Sequence, residues 1–144
     1  MYSIANKVGR LVELTIVTPV TIEEAHRAFL ELRACIQAVG GKIAGVADLT
    51  AIDIFAPEVA DKLTQLMRSH NAHMERSAFL IGDAPTFGLQ FMRMIREAGN
   101  PARRIFKRRA ELESWLGEIL TPEERERVHA YLDERGVART RLPF

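Results

Sequence analysis

The chain has 144 residues, 47% hydrophobic and 27% charged, a size and balance that exclude disorder and require one packed domain of ordinary dimensions. A formal charge of +1 argues against a dedicated nucleic-acid binder. A single cysteine, Cys35, excludes an internal disulfide framework. There is no apolar run of about 18 residues and no secretory-signal pattern, so a cytoplasmic protein without a transmembrane segment is expected.

Residues 2–17 read as two strands joined by a turn at Asn6-Lys7-Val8-Gly9. In the second, Val12, Leu14 and Ile16 alternate with Leu11, Glu13, Thr15 and Val17. Period two means strand, and the mixed second set predicts a partly solvated face. Thr21-Ile22-Glu23-Glu24 is a capping box opening a helix to Val39, with an inward stripe of Ile22, Ala25, Phe29, Leu32, Ile36 and Val39. Cys35 is expected as a small buried hydrophobe on it. Gly40-Gly41 ends the helix.

Residues 43–49 are apolar up to Asp48, the pattern of a strand buried on both faces by parallel neighbours. Pro57 suits a first helical position, and Val59, Leu63, Leu66, Met67 and His70 predict a buried stripe reaching about Met74. Residues 77–82 form a third apolar strand. Asp83-Ala84-Pro85-Thr86 leads into a helix with Phe87, Phe91, Met94, Ile95 and Ala98 inward, stopped by Gly99-Asn100-Pro101. Residues 103–106 make a short strand, and 110–120 a helix with Leu112, Trp115, Leu116 and Ile119 inward. Thr121-Pro122-Glu123-Glu124 is a second capping box, opening a charged helix to Arg135. Its one apolar group, Val128, Tyr131 and Leu132, predicts a surface helix with a narrow contact stripe. That stripe leaves homodimer and monomer both open. The alternation of strands and helices predicts an α/β fold: a mixed, mostly parallel sheet of an N-terminal hairpin plus three further strands, covered by helices.

Parallel sheets present ligands at the carboxyl ends of their strands. Asp48, Thr50, Asp53, Asp83 and Thr86 fall there, as candidates for binding a partner or ligand; the competing reading is helix and turn capping. Arg103, Arg104, Lys107, Arg108 and Arg109 place five cations in seven residues. They form a candidate anion site, or a charged edge strand guarded against aggregation. His70 and His73 are spaced to share a metal, but no third ligand is near in sequence and packing is the expectation for His70. No metal or cofactor site is expected. Phe87, Phe91, Met92 and Met94 fit core packing or the wall of an apolar pocket.

The order of elements, with Asp48-Leu49-Thr50 closing the central strand, resembles the STAS fold of the SpoIIAA-like anti-sigma factor antagonists. It is closer still to the STAS/SEC14-type subgroup of bacterial proteins, through Ala78-Phe79-Leu80-Ile81, Ile105-Phe106 and Trp115-Leu116. The resemblance covers about residues 2–120 and implies a domain of 1–120, with 121–144 as an added C-terminal helix and tail. In the antagonists, Asp-Leu-Ser is followed by an Asp-Ser-Ser-Gly whose serine a partner kinase phosphorylates. Asp48-Leu49-Thr50 matches the first part. Ala56-Pro57-Glu58 stands at the second and has no hydroxyl, so the resemblance implies no phosphoryl switch there. Glu58 supplies a fixed negative charge to the first helical turn instead.

These readings lead to a non-enzymatic regulatory module that presents Asp48 to Glu58 to a protein partner, such as a regulator or kinase. The alternative is a carrier or sensor of a lipid or small anionic ligand, with the 87–95 helix as wall and the 103–109 segment as headgroup site.

Overall fold

Five strands form one mixed sheet in the order β1-β2-β3-β4-β5 in the computed structural model, which describes residues 1–137. β1 (Tyr2–Val8) runs antiparallel to β2 (Leu11–Ile16). β3 (Ile43–Leu49), β4 (Met74–Ile81) and β5 (Arg103–Phe106) continue parallel to β2. β3 is the middle strand and is buried along its whole length, as its unbroken apolar run requires.

The strand alternation divides the core in two. Ile16, Ala47, Leu49, Phe79 and Ile81 face the layer formed by α1 (Ile22–Val39), α2 (Pro57–Ser69) and α3 (Pro85–Ala98). Leu11, Ala44, Val46, Ala78 and Leu80 face α4 (Arg109–Gly117) and α5 (Pro122–Glu134) on the other side. Both capping boxes form: Thr21 and Thr121 each accept from the amide three residues on, and each glutamate returns the bond. Gly40 and Gly99 close α1 and α3 in the left-handed conformation.

Several local details differ from expectation. The hairpin turn is Gly9-Arg10, not Asn6 to Gly9. Asn6 stays in the strand and its side-chain amide donates to the carbonyls of Gly9 and Leu11 at 3.0 and 2.8 Å. α2 stops at Ser69, and Met74 opens β4. The Met67 carbonyl near its end is claimed from outside. The buried Arg103 guanidinium donates to the Met67 carbonyl at 2.7 Å and to Asn71 Oδ1 at 3.3 Å, and Asn71 Nδ2 donates to the Ala98 carbonyl at 2.7 Å. α1 sits lightly on the edge of the sheet. Ala25, Ala28 and Ile36 are buried, Phe29, Leu32 and Val39 are half-buried, and Ile22 is exposed. Cys35 is likewise half-buried.

The larger departure is α5. It is no surface appendage: Val128, Tyr131 and Leu132 share one core with Leu112, Leu116 and Leu120 and the underside of the sheet. The packing has no break at residue 120. The stripe that left a homodimer open is therefore buried inside the chain. α5 also covers the mixed face of β2, so Glu13 and Thr15 are buried where partial solvation was expected. Its polar side chains meet theirs. Arg127 donates to both Glu13 carboxylate oxygens at 2.7 and 2.9 Å. The Tyr131 hydroxyl lies 2.7 Å from Thr15 Oγ1, donates to the Leu14 carbonyl and accepts from the Asp48 amide at 3.3 Å, so it bridges β2 and β3. Burial pushes that phenol up to about 12. Arg135 Nε reaches Asp48 Oδ2 at 3.0 Å. Positions 127, 131 and 135 recur every four residues, hence on one helix face. At the start of the helix, Glu124 accepts from the Thr121 amide and from the Arg10 amide in the hairpin turn, at 2.9 and 2.8 Å. A Cβ on Gly9, whose φ is +53°, would collide with that carboxylate.

His70 packs its ring against Phe29, with centroids 5.2 Å apart and its buried Nε2 unpartnered. Burial first, then the nearby His73, Arg103 and Arg33 charges, lower its pKa from the ordinary 6.5. Above that value neither folded nor unfolded chain carries the charge. Below it the unfolded chain takes up a proton that the folded chain resists, so stability falls with pH. His70→Leu lacks this penalty: urea unfolding at about pH 7.5 and about pH 5.5 should show the stability difference moving in the variant's favour at the lower pH. A second expectation concerns the brace under α5. Arg127→Met strands the Glu13 carboxylate and should cost about 3–5 kcal/mol in chemical denaturation, while adding Glu13→Leu should recover much of that loss.

Candidate functional site

The carboxyl ends of β3 and β4 emerge side by side. The carbonyl of Thr50 would lie 3.1 Å from a Cβ placed on Gly82, so the two exits touch and a side chain there would have to push that carbonyl back by a few tenths of an ångström. Loop 50–56 and the segment 83–86 therefore form one rim, as the parallel register of β3 and β4 requires.

Asp48 does not stand on that rim. It is 2% exposed, facing the α5 side. Its Oδ1 accepts from the Thr50 amide at 3.0 Å and from Thr50 Oγ1 at 2.7 Å, and its Oδ2 is held by Arg135. All of its acceptor capacity toward the loop is used within the chain. It acts on the surface through Thr50, whose backbone it turns outward. The capping reading thus describes Asp48, and the expected direct contact with a partner is corrected by burial.

The other rim residues are exposed: Thr50, Asp53, Glu58, Asp83 and Thr86. Two further latches hold them. The Asp53 amide donates to Thr18 Oγ1 at 3.1 Å. Gln90 of α3 brackets Phe55, accepting from its amide at 3.0 Å and donating to its carbonyl at 2.8 Å. Ile52 and Phe55 point into the core, and Ile54 between them stands 49% exposed. The result is a fixed loop with an apolar knob flanked by Asp53 and, at the first turn of α2, Glu58. Ile54 and Gln90 escaped sequence reasoning. The alternation of Ile52, Ile54 and Phe55 does not reveal which of the three faces water, and Gln90 is one polar residue among many on an amphipathic helix.

The five cations at 103–109 do not form one anion site. Arg103 is buried against the end of α2, and burial lowers its guanidinium to about 10, still charged at neutral pH. Arg109 is buried on the opposite face, donating to Glu113, Asp133 and the carbonyls of His129 and Val137. Arg104, Lys107 and Arg108 are exposed, with Arg104 over the Trp115 ring at 5.1 Å and Arg108 3.8 Å from Glu111. Two of the five are structural: Arg103 points from β5 to the end of α2, and Arg109, at the start of α4, is held by α4 and α5.

The enclosed space between α1, α2, α3 and the sheet is wholly apolar and measures about 60 Å³. Small-molecule pockets begin at about 300 Å³, so this space is smaller than such a pocket. His70 and His73 gather no third ligand: no group of three metal-ligating side chains occurs among the described residues.

No protein-family model matches the chain, and no curated protein matches it in sequence. Among solved structures, it is similar to an uncharacterized protein of the DUF3478 family with a SpoIIAA-like fold from Shewanella loihica PV-4. The likeness has a TM-score of 0.60 at 16% identity and covers 80% of this chain and 93% of that one. The chain has a SpoIIAA-like α/β fold. No described helix is long and apolar enough to cross a membrane.

Because Asp48 organises the rim from below, Asp48→Ala should lower stability by about 2–4 kcal/mol and speed amide exchange at Thr50 out of proportion to the global change. Hydrogen exchange with mass-spectrometric readout measures both.

Proposed function

We propose that the protein is a non-enzymatic interaction module that docks a protein partner on the rim at the carboxyl ends of β3 and β4. The observation that supports this reading is the latched loop 50–56. It holds the half-exposed Ile54 beside Asp53 and Glu58 by hydrogen bonds to Thr18, Asp48 and Gln90. Surface loops are ordinarily mobile, and ordering one on binding costs affinity. A loop already fixed avoids that cost. An apolar anchor ringed by charge is the arrangement that concentrates binding energy at an interface. The complementary partner has an apolar notch bordered by basic side chains.

Loop 50–56 and the start of α2 carry one hydroxyl, on Thr50, and it is bonded to the buried Asp48. This favours a constitutive acidic surface over one switched by phosphorylation at the helix start.

The test uses the full chain and an Ile54→Asp/Glu58→Lys variant, immobilised equally and exposed to native lysate. Both sites are on the surface, so the variant should keep its stability within about 1 kcal/mol. The wild type should retain a stoichiometric partner that the variant loses about tenfold or more. Identical retained proteins on both, or none on either, would overturn the reading.

A further inference from the structure

β5 ends the sheet, and its outer edge has no strand beside it among the described residues. α3 packs against β5 on one face, with a groove of about 710 Å³ between helix and strand. Leu89 and Met92, one turn apart on α3, overhang this groove at 71% and 57% exposed, above the half-buried Ile95 and Ile105. A sheet edge is a row of unpaired amides and carbonyls, the template on which an added strand pairs. A strand beside β5 would place alternate side chains against Leu89 and Met92. The overhang has the position and polarity of a lid for a sixth strand.

The charges choose the occupant. Arg96, Arg103, Arg104 and Lys107 line the groove, with no acidic residue among its lining. Arg103 is engaged with Met67, but Arg96, Arg104 and Lys107 are exposed and make no ion pair among the described residues. Cations alone would be read as an edge guarded against aggregation. A guarded edge does not keep two large apolar side chains exposed directly beside it. A second copy is disfavoured, because pairing β5 with β5 sets Arg104 and Lys107 against their own kind, and like charges in cross-strand contact repel. An acidic strand meets no such penalty.

We propose that the β5 edge and the α3 overhang bind an extended acidic segment of a partner protein as a sixth strand. Its apolar residues pack under Leu89 and Met92, and its carboxylates alternate toward Arg104 and the flanking Arg96 and Lys107. This groove adjoins the rim and shares Gly82, Ala84 and Pro85 with it, but the variants that test the two share no residue, so either reading can fail alone.

The probe is a fluorescein-labelled hexapeptide alternating glutamate and valine, with a lysine–valine peptide of the same length as control. Fluorescence anisotropy on the full chain should show saturable binding of the acidic peptide, at least about tenfold tighter than the basic one and weakened by salt. Amide exchange at 104–106 should slow on binding. Leu89→Asp and, separately, Arg104→Glu should each weaken binding about tenfold while circular dichroism confirms the fold; the second position is exposed, so one variant remains readable if the other misfolds. Equal binding of both peptides, no binding at about 1 mM peptide, or protection of 104–106 that depends on protein concentration alone would each overturn the proposal.

Discussion

Three polar side chains buried under the sheet, Glu13, Thr15 and Asp48, set the terms for the rest of the molecule. Buried carboxylates without partners are among the most unfavourable groups a fold can contain. α5 answers all three at once with Arg127, Tyr131 and Arg135 from one face. The register between β2 and β3 places Thr15 directly beside Asp48, so the three acceptors form a short row that one straight helix can span. Capping at the first turn by Glu124, shared with the hairpin turn at Arg10, fixes where along the sheet that helix begins.

The same row connects scaffold to surface. Asp48 is held on one side by Arg135 and on the other turns the backbone of Thr50, so the helix on one face of the sheet steadies a loop at its edge. From the opposite layer, α3 reaches that loop through Gln90, and the segment after β2 reaches it through Thr18. The loop is thereby held from both layers and from the hairpin. α3 has a second part: its inner face fills the core with Phe87, Phe91 and Met94, while Leu89 and Met92 on its outer face remain uncovered beside the β5 groove. One helix thus contributes to both candidate binding surfaces.

Much of the architecture was legible in residue order. The unbroken apolar run at 43–49 marked the central strand, the capping boxes at Thr21 and Thr121 marked two helix starts, and Gly40 and Gly99 marked two stops. Each is a local signal with a local cause. The ends that were misjudged depended on distant groups. At the end of α2, Arg103 brings a donor to the Met67 carbonyl from a distant strand, and at the hairpin turn Gly9-Arg10 Asn6 donates from within the strand and Glu124 accepts from the turn. At the candidate site, strand polarity pointed to Thr50, Asp53, Asp83 and Thr86, and the structure exposes all four. It did not point to Ile54, Gln90 or the true role of Asp48.

The sequence by itself determined the alternation of strands and helices, the parallel middle of the sheet and the edge on which the loops emerge, because periodicity and capping act between residues close in the chain. Only the tertiary structure decided which charges are surface and which are braces. Arg103, Arg109, Arg127 and Arg135 look alike as letters. Their roles follow from which buried carbonyl or carboxylate lies within about 3 Å after folding, and that distance is set by contacts as much as 114 residues apart.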